Sequence, residues 1–192
     1  YTNAGKSTLF NRLTGANVLA DDMLFATLDP TMRKIELPSG RQIVLSDTVG
    51  FVSNLPTHLV AAFRATLEEV IEADIIVHIR DVSHLDTELQ KYDVEQVLNY
   101  LGVYDTVENP NIIEVLNKTD KLEPQEYQRY SNNISENEVL LSAISGEGCA
   151  TFYDKIDQLL GNTETIYNFQ IKLNDGAAIA WLHANGIVKE KS

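Results

Sequence analysis

Several things are scarce in this sequence, and each shortage closes off a class of function. Cys149 is the one cysteine among 192 residues, so no internal disulfide can form. With Gly148 and Ala150 as neighbours it reads as a small apolar residue in a reducing compartment rather than as a reactive thiol. No Cys/His spacing suggests a transition-metal site. No apolar run approaches the roughly 18 residues that a membrane-spanning helix needs. Basic residues are in deficit, 15 Lys+Arg against 28 Asp+Glu, for a net charge of −13. So acidic a chain repels a phosphate backbone, which excludes binding of free nucleic acid through a general basic face. A nucleic-acid partner would have to be met through local patches or through segments outside this sequence. Internal repeats and low-complexity tracts are absent as well. What remains, 44% hydrophobic and 22% charged residues, is the make-up of an ordinary globular protein with one sizeable core and room for a small appendage.

The most informative stretch is the first, Tyr1-Thr2-Asn3-Ala4-Gly5-Lys6-Ser7-Thr8. It is the back end of a phosphate-binding loop, G-x-x-x-x-G-K-[ST], without its leading Gly. In such a loop backbone N–H groups wrap the β-phosphate, the Lys reaches the β- and γ-phosphates, and the Ser hydroxyl binds Mg²⁺. The spacing of Leu9, Phe10 and Leu13 predicts a helix over Ser7 to Thr14, stopped by Gly15, whose dipole adds positive potential at the loop.

Further along, Asn17 to Thr31 has no clean period and reads as a loop. Arg33 to Leu37 and Arg41 to Leu45 flank the turn signal Pro38-Ser39-Gly40 and read as a hairpin. Helical spacing of Leu59, Phe63, Leu67, Val70 and Ile71 predicts a helix over His58 to Ala73. Three apolar strands follow, at Ile75 to Ile79, Ile112 to Leu116 and Val139 to Leu141, of the kind found in a parallel sheet covered on both faces. Helix-like segments lie at Asp86 to Leu101, Pro124 to Asn132 and Thr151 to Leu160. This alternation predicts an α/β, doubly wound and mostly parallel sheet, with its ligand at the carboxyl ends of the strands. The strand that should feed the phosphate loop would precede Tyr1, so the sequence reads as part of a longer protein. Beyond Gly161, a strand-like Tyr167 to Leu173 and a helix over Asp175 to Asn185 form a small α+β appendage, too short to fold alone.

Three further segments sit at predicted strand ends. Asp47-Thr48-Val49-Gly50 can supply an Asp to the Mg²⁺ shell and a Gly N–H to the γ-phosphate. Asn117-Lys118-Thr119-Asp120 is more telling. Its Asp carboxylate can accept both N1–H and the 2-amino group of guanine, a paired contact that adenine does not return. The Lys118 stem would lie along the base, and a backbone N–H at Ser142-Ala143 can meet the guanine carbonyl oxygen. Four such segments in this order make guanine the base and GTP the ligand. Phe51 follows D-x-x-G where many small GTPases carry a Gln that orients the attacking water. Phe51 cannot hydrogen-bond to water, so slow intrinsic hydrolysis is expected. His78, inside a strand, reads as a satisfied core residue; His58, His84 and Arg64 read as solvated or helix-entry positions.

The chain resembles the HflX family of GTPases, in the Obg–HflX branch of translation-associated P-loop GTPases. The likeness rests on Phe25-Ala26-Thr27-Leu28-Asp29-Pro30-Thr31, on Asp47 through Phe51, and on Leu55-Pro56, Ala62-Phe63, Thr66 to Glu69 and Ala73-Asp74. It is strong over residues 1–161, the GTP-binding domain, and looser over 162–192, which would begin the family's small C-terminal domain. The family's N-terminal domain and helical linker are not in the sequence. The resemblance implies nucleotide contacts from Asn3 to Thr8 and from Asp47, Gly50, Asn117, Lys118, Asp120, Ser142 and Ala143. It implies catalysis centred on Lys6, Thr27 and Gly50, with Mg²⁺ held by Ser7, Asp47 and the switch threonine Thr27, for which Thr31 is the rival. By likeness to potassium-activated GTPases, Asn3 would help bind K⁺. It further implies the large ribosomal subunit as partner and activator, with rescue or splitting of stalled ribosomes as the role; a cytoplasmic monomer is expected.

Overall fold

The computed structural model describes residues 1–16, 31–48, 50, 69–103, 111–162, 168–171, 175–185 and 188. Contacts divide the chain into two units, Tyr1–Asn162 and Thr163–Ser192.

Within the first unit the order begins with helix α1 (Lys6–Thr14), the antiparallel pair β1 (Thr31–Glu36) and β2 (Gln42–Asp47), and β3 (Ile76–Asp81). Helix α2 (Thr87–Tyr100), β4 (Ile112–Asn117), a 3₁₀ turn (Thr119–Lys121), α3 (Pro124–Asn132), β5 (Glu138–Leu140) and α4 (Cys149–Asn162) complete it. Strands β3, β4 and β5 form a parallel sheet in that order, with α2 crossing from β3 to β4 and α3 from β4 to β5, as the α/β reading requires. Residues 69–72 are helical and end the helix expected over His58–Ala73, most of which lies outside the described residues.

Local chemistry sets several boundaries. Gly5 (φ 94) and Gly15 (φ 65) bracket α1 in left-handed conformations that L-residues resist. Helix α3 starts at Pro124 with a capping box between Glu123 and Glu126. The hairpin turn is pinned to α4, where Asp157 accepts from Ser39 at 2.6 Å and pairs with Arg41 at 3.0 Å. Ile113, Val115, Val139 and Leu141 of the sheet pack with Leu9, Leu37, Phe152 and Ile156 in one buried core.

The strands are not purely apolar. His78 and Arg80 on β3 and Glu114 on β4 lie beneath α2, and Arg80 meets Glu114 at 2.5 Å and Glu88 at 2.6 Å. Lys91 of α2 reaches Glu114 at 2.7 Å. The pairing neutralises charges that burial would otherwise penalise heavily. His78 is buried, and burial first, then nearby positive charge, pushes its imidazole down to about 3, so it is neutral at physiological pH.

In the second unit, α5 (Gly176–Asn185) begins where Ala178 N–H donates to Asp175 Oδ1 at 3.1 Å. Of the strand expected over Tyr167–Leu173, Tyr167, Lys172 and Leu173 lie outside the described residues, and residues 168–171 have no strand assignment.

Candidate nucleotide-binding site

The first turn of α1 presents N–H groups without helical partners and the positive end of the helix dipole. Just before it, Asn3 (φ 58) and Gly5 (φ 94) turn the chain back on itself. Gly5 is required twice over, by its φ and because a Cβ there would run into Asn117 Nδ2. Lys6 Nζ donates to Tyr1 O at 3.1 Å. Burial pushes the Lys6 ammonium below its ordinary pKa, and the charge of Asp47 works the other way. A desolvated cation at a helix N-terminus is a receptor for anions. Gly50 comes so near that a Cβ would stand 2.7 Å from Lys6 Nζ and 2.8 Å from Thr2 Cα. The D-x-x-G turn and the phosphate loop therefore meet at Lys6.

Ser7 Oγ donates to Asp47 Oδ2 at 2.7 Å, and Asp47 is the buried last residue of β2. Two hard oxygen donors a hydrogen bond apart suit Mg²⁺, which keeps water and phosphate oxygens for most of its shell. Among the described residues no group of three or more His, Cys, Asp or Glu could hold a metal. Thr27 and Phe51 lie outside the described residues. Thr31 opens β1, directly across from Asp47 in the register.

The opposite end is built at the tips of β4 and β5. Asn117 is 1% exposed, donates through Nδ2 to Ala4 O at 2.8 Å, and accepts from Ala143 N–H through Oδ1 at 2.9 Å. One side chain thus ties the phosphate loop to the loop after β5. Lys118 takes a left-handed φ of 66, and its ammonium pairs with Asp81 Oδ2 at 2.7 Å. Asp120 is exposed, and Ser142 Oγ, fully buried, donates to its Oδ1 at 2.5 Å. Thr8, Asn11, Arg12, Gly15, Ala16, Ala143 and Ile144 line an open cavity of about 500 Å³. The structure brings Ala4, Gly5, Lys6, Ser7, Asp47 and Gly50 into one cluster. It brings Asn117, Lys118, Asp120, Ser142 and Ala143 into a second, and Asn117 joins the two. Asn3 is exposed at the loop's edge.

Two residues outside the motifs brace the loops around this site without belonging to it. Asp81, at the end of β3, also accepts from Ser83 N–H at 3.0 Å and Ser83 Oγ at 2.6 Å, so its carboxylate is fixed before it meets Lys118. Burial works to raise its pKa, but the bonds from Lys118 and Ser83 outweigh it and hold Asp81 below the usual carboxylate range. The D-x-S after an apolar strand is the one sequence signal that points to it. Arg12 gives no such signal; it is an exposed helix Arg whose partners are backbone carbonyls far along the chain.

A site of this geometry, at the carboxyl ends of a parallel sheet, defines a P-loop GTPase fold. Comparison with known proteins narrows the class: a family model for the 50S ribosome-binding GTPases matches residues 1–118. The chain belongs to that family, and within it to the HflX group. It is 45% identical to the GTPase HflX of Magnetococcus marinus over 99% of this chain and 43% of that protein. The GTPase HflX of Escherichia coli is 42% identical over 92% of this chain and 41% of its own length. The chain therefore spans less than half of these relatives. Among solved structures, a GTP-binding protein of Sulfolobus solfataricus in complex with GDP has a TM-score of 0.63 at 26% identity. That match covers 85% of this chain and 51% of the archaeal one.

Proposed function

We propose that this chain is the GTP-binding and GTP-hydrolysing part, residues 1–161, of a molecular switch that acts on the large ribosomal subunit. Residues 162–192 begin a small C-terminal domain. The observation that carries the reading is Asn117, which locks the phosphate end and the base end into one site. Lys6 and the N–H groups at the start of α1 bind and orient the β- and γ-phosphates. Asp120 reads the guanine edge, Lys118 lies along its face, and Ala143 offers a backbone N–H to its carbonyl oxygen. Ser7 and Asp47, with Thr27, would hold Mg²⁺, which when bound offsets the charge that develops on the phosphates. Asn3 would contribute to a K⁺ site. Order around Thr27 and Asp47 to Phe51 then depends on the γ-phosphate, the usual basis of a GTPase switch.

Phe51 supplies no hydrogen bond to water, so intrinsic turnover is slow and a partner stimulates it. The family's description, 50S ribosome-binding GTPase, supports the large ribosomal subunit as that partner, with rescue or splitting of stalled ribosomes in the cytoplasm as the role. The protein is proposed to act as a monomer. Phe51 also favours a second reading, a GTP-gated binding module whose hydrolysis is incidental. The test is GTP turnover by the full-length protein with and without large ribosomal subunits, in KCl and in NaCl. Strong stimulation supports a ribosome-activated enzyme; tight GTP binding without stimulation supports the gated module. Equal turnover in the two salts removes the K⁺ site.

A further inference from the structure

We infer that Arg12 is a positioning residue that couples the phosphate-binding helix to the base-reading loop, and so sets how long a guanine nucleotide stays bound. The inference rests on the nucleotide-site reading above. Arg12 lies further along the same helix that begins with Lys6 and Ser7. Its Nε donates to Ala143 O at 2.5 Å, and a terminal guanidinium nitrogen donates to Ile144 O. A planar guanidinium can serve two adjacent carbonyls at once, as an ammonium cannot.

The loop is shaped around this group. Gly146 has φ +89, and a Cβ there would stand 2.7 Å from a terminal nitrogen of Arg12 and 3.3 Å from its Cζ. Elsewhere the loop after β5 is bonded within itself, to the tip of β4 and to α3: Ala143 N–H donates to Asn117, Ser142 Oγ to Asp120, Gly146 N–H to Ser142 O, and Tyr127 Oη to Glu147 at 3.3 Å. Arg12 gives it a direct bond to α1. The N–H of Ala143 faces Asn117 while its carbonyl faces Arg12, so that one peptide segment is held from both sides. Release of the base requires this segment to move, and Arg12 makes that movement depend on the helix that holds the phosphates.

The test uses the full-length protein with Arg12→Ala, Arg12→Lys and Gly146→Ala. The readouts are GDP dissociation and association, competition by inorganic tripolyphosphate, and single-turnover hydrolysis of bound GTP. Losing two charge-assisted bonds, partly open to solvent, is expected to speed GDP dissociation by about 10- to 100-fold in Arg12→Ala. Arg12→Lys falls between it and the wild type, and Gly146→Ala shifts in the same direction. Tripolyphosphate affinity and the single-turnover rate stay within about twofold, because Lys6, Ser7 and Asp47 keep their places. GDP dissociation within twofold of wild type in Arg12→Ala overturns the coupling, and so does an equal loss of tripolyphosphate binding, which marks general weakening of the fold. A wild-type protein that fails to bind GDP overturns the nucleotide-site reading itself, and the coupling with it.

Discussion

Asn117→Ala tests the architecture of the site at its narrowest point. The side chain is buried, and it satisfies one backbone carbonyl, on Ala4, and one backbone N–H, on Ala143. Alanine leaves both without this partner, at about 1–3 kcal/mol for each buried group, so roughly 2–6 kcal/mol of stability is expected to go. Because the two groups belong to opposite ends of the nucleotide site, GDP affinity should fall by about 100-fold or more. Denaturant unfolding gives the first quantity and fluorescent-nucleotide dissociation the second. Gly5→Ala adds a sharper check, since its Cβ collides with Asn117 Nδ2. That collision disappears in the double variant while the backbone strain at φ 94 persists, so the double variant should lose about 1 kcal/mol or more less than the sum of the singles. Stability within about 0.5 kcal/mol of wild type, with unchanged GDP dissociation, would refute the reasoning.

Three other outcomes follow from the same structure. Glu114→Ala strips buried Arg80 of its best-shielded partner and should cost roughly 3–5 kcal/mol, whereas replacing Arg80 and Glu114 together by Leu should recover most of it in denaturant unfolding. The folded imidazole of His78 titrates near 3 and the unfolded one near 6.5, so between these values the unfolded chain binds the extra proton. Stability from this group is complete above pH 6.5 and is lost as pH falls toward 3, by up to ~1.4 kcal/mol per pH unit. His78→Gln should flatten that slope when unfolding is compared at several acid pH values. Phe51→Gln should raise intrinsic GTP hydrolysis well above wild type without a partner; an unchanged rate would show that water orientation is not the deficit.

Much of the fold could be read from the chain because its signals are local. Pro124 with Glu123 and Glu126 fixes the start of α3 within one turn, and Gly15 stops α1 where its freedom at positive φ is needed. The apolar cores of β3 and β4 announce a covered parallel sheet. The charged layer under α2 was not legible, because Arg80 and Glu114 neutralise each other only once β3 and β4 lie side by side. The same division holds in the site. Lys6, Ser7 and Asn117 to Asp120 sit in contiguous motifs that state their own chemistry. Asp81 and Arg12 act on residues far away in sequence, Lys118 in one case and Ala143 with Ile144 in the other.

The central claim, that this is a guanine-selective nucleotide site read by Asp120, is tested most directly by titrating the protein with GDP, ADP and xanthosine diphosphate beside Asp120→Asn. The wild type should bind GDP far more tightly than ADP, because the carboxylate takes both guanine donors. Asp120→Asn should lose GDP affinity by orders of magnitude and gain xanthosine diphosphate, whose 2-oxygen accepts from the new amide. Comparable affinity of the wild type for ADP, or an Asp120→Asn variant that keeps its GDP affinity, would contradict the account.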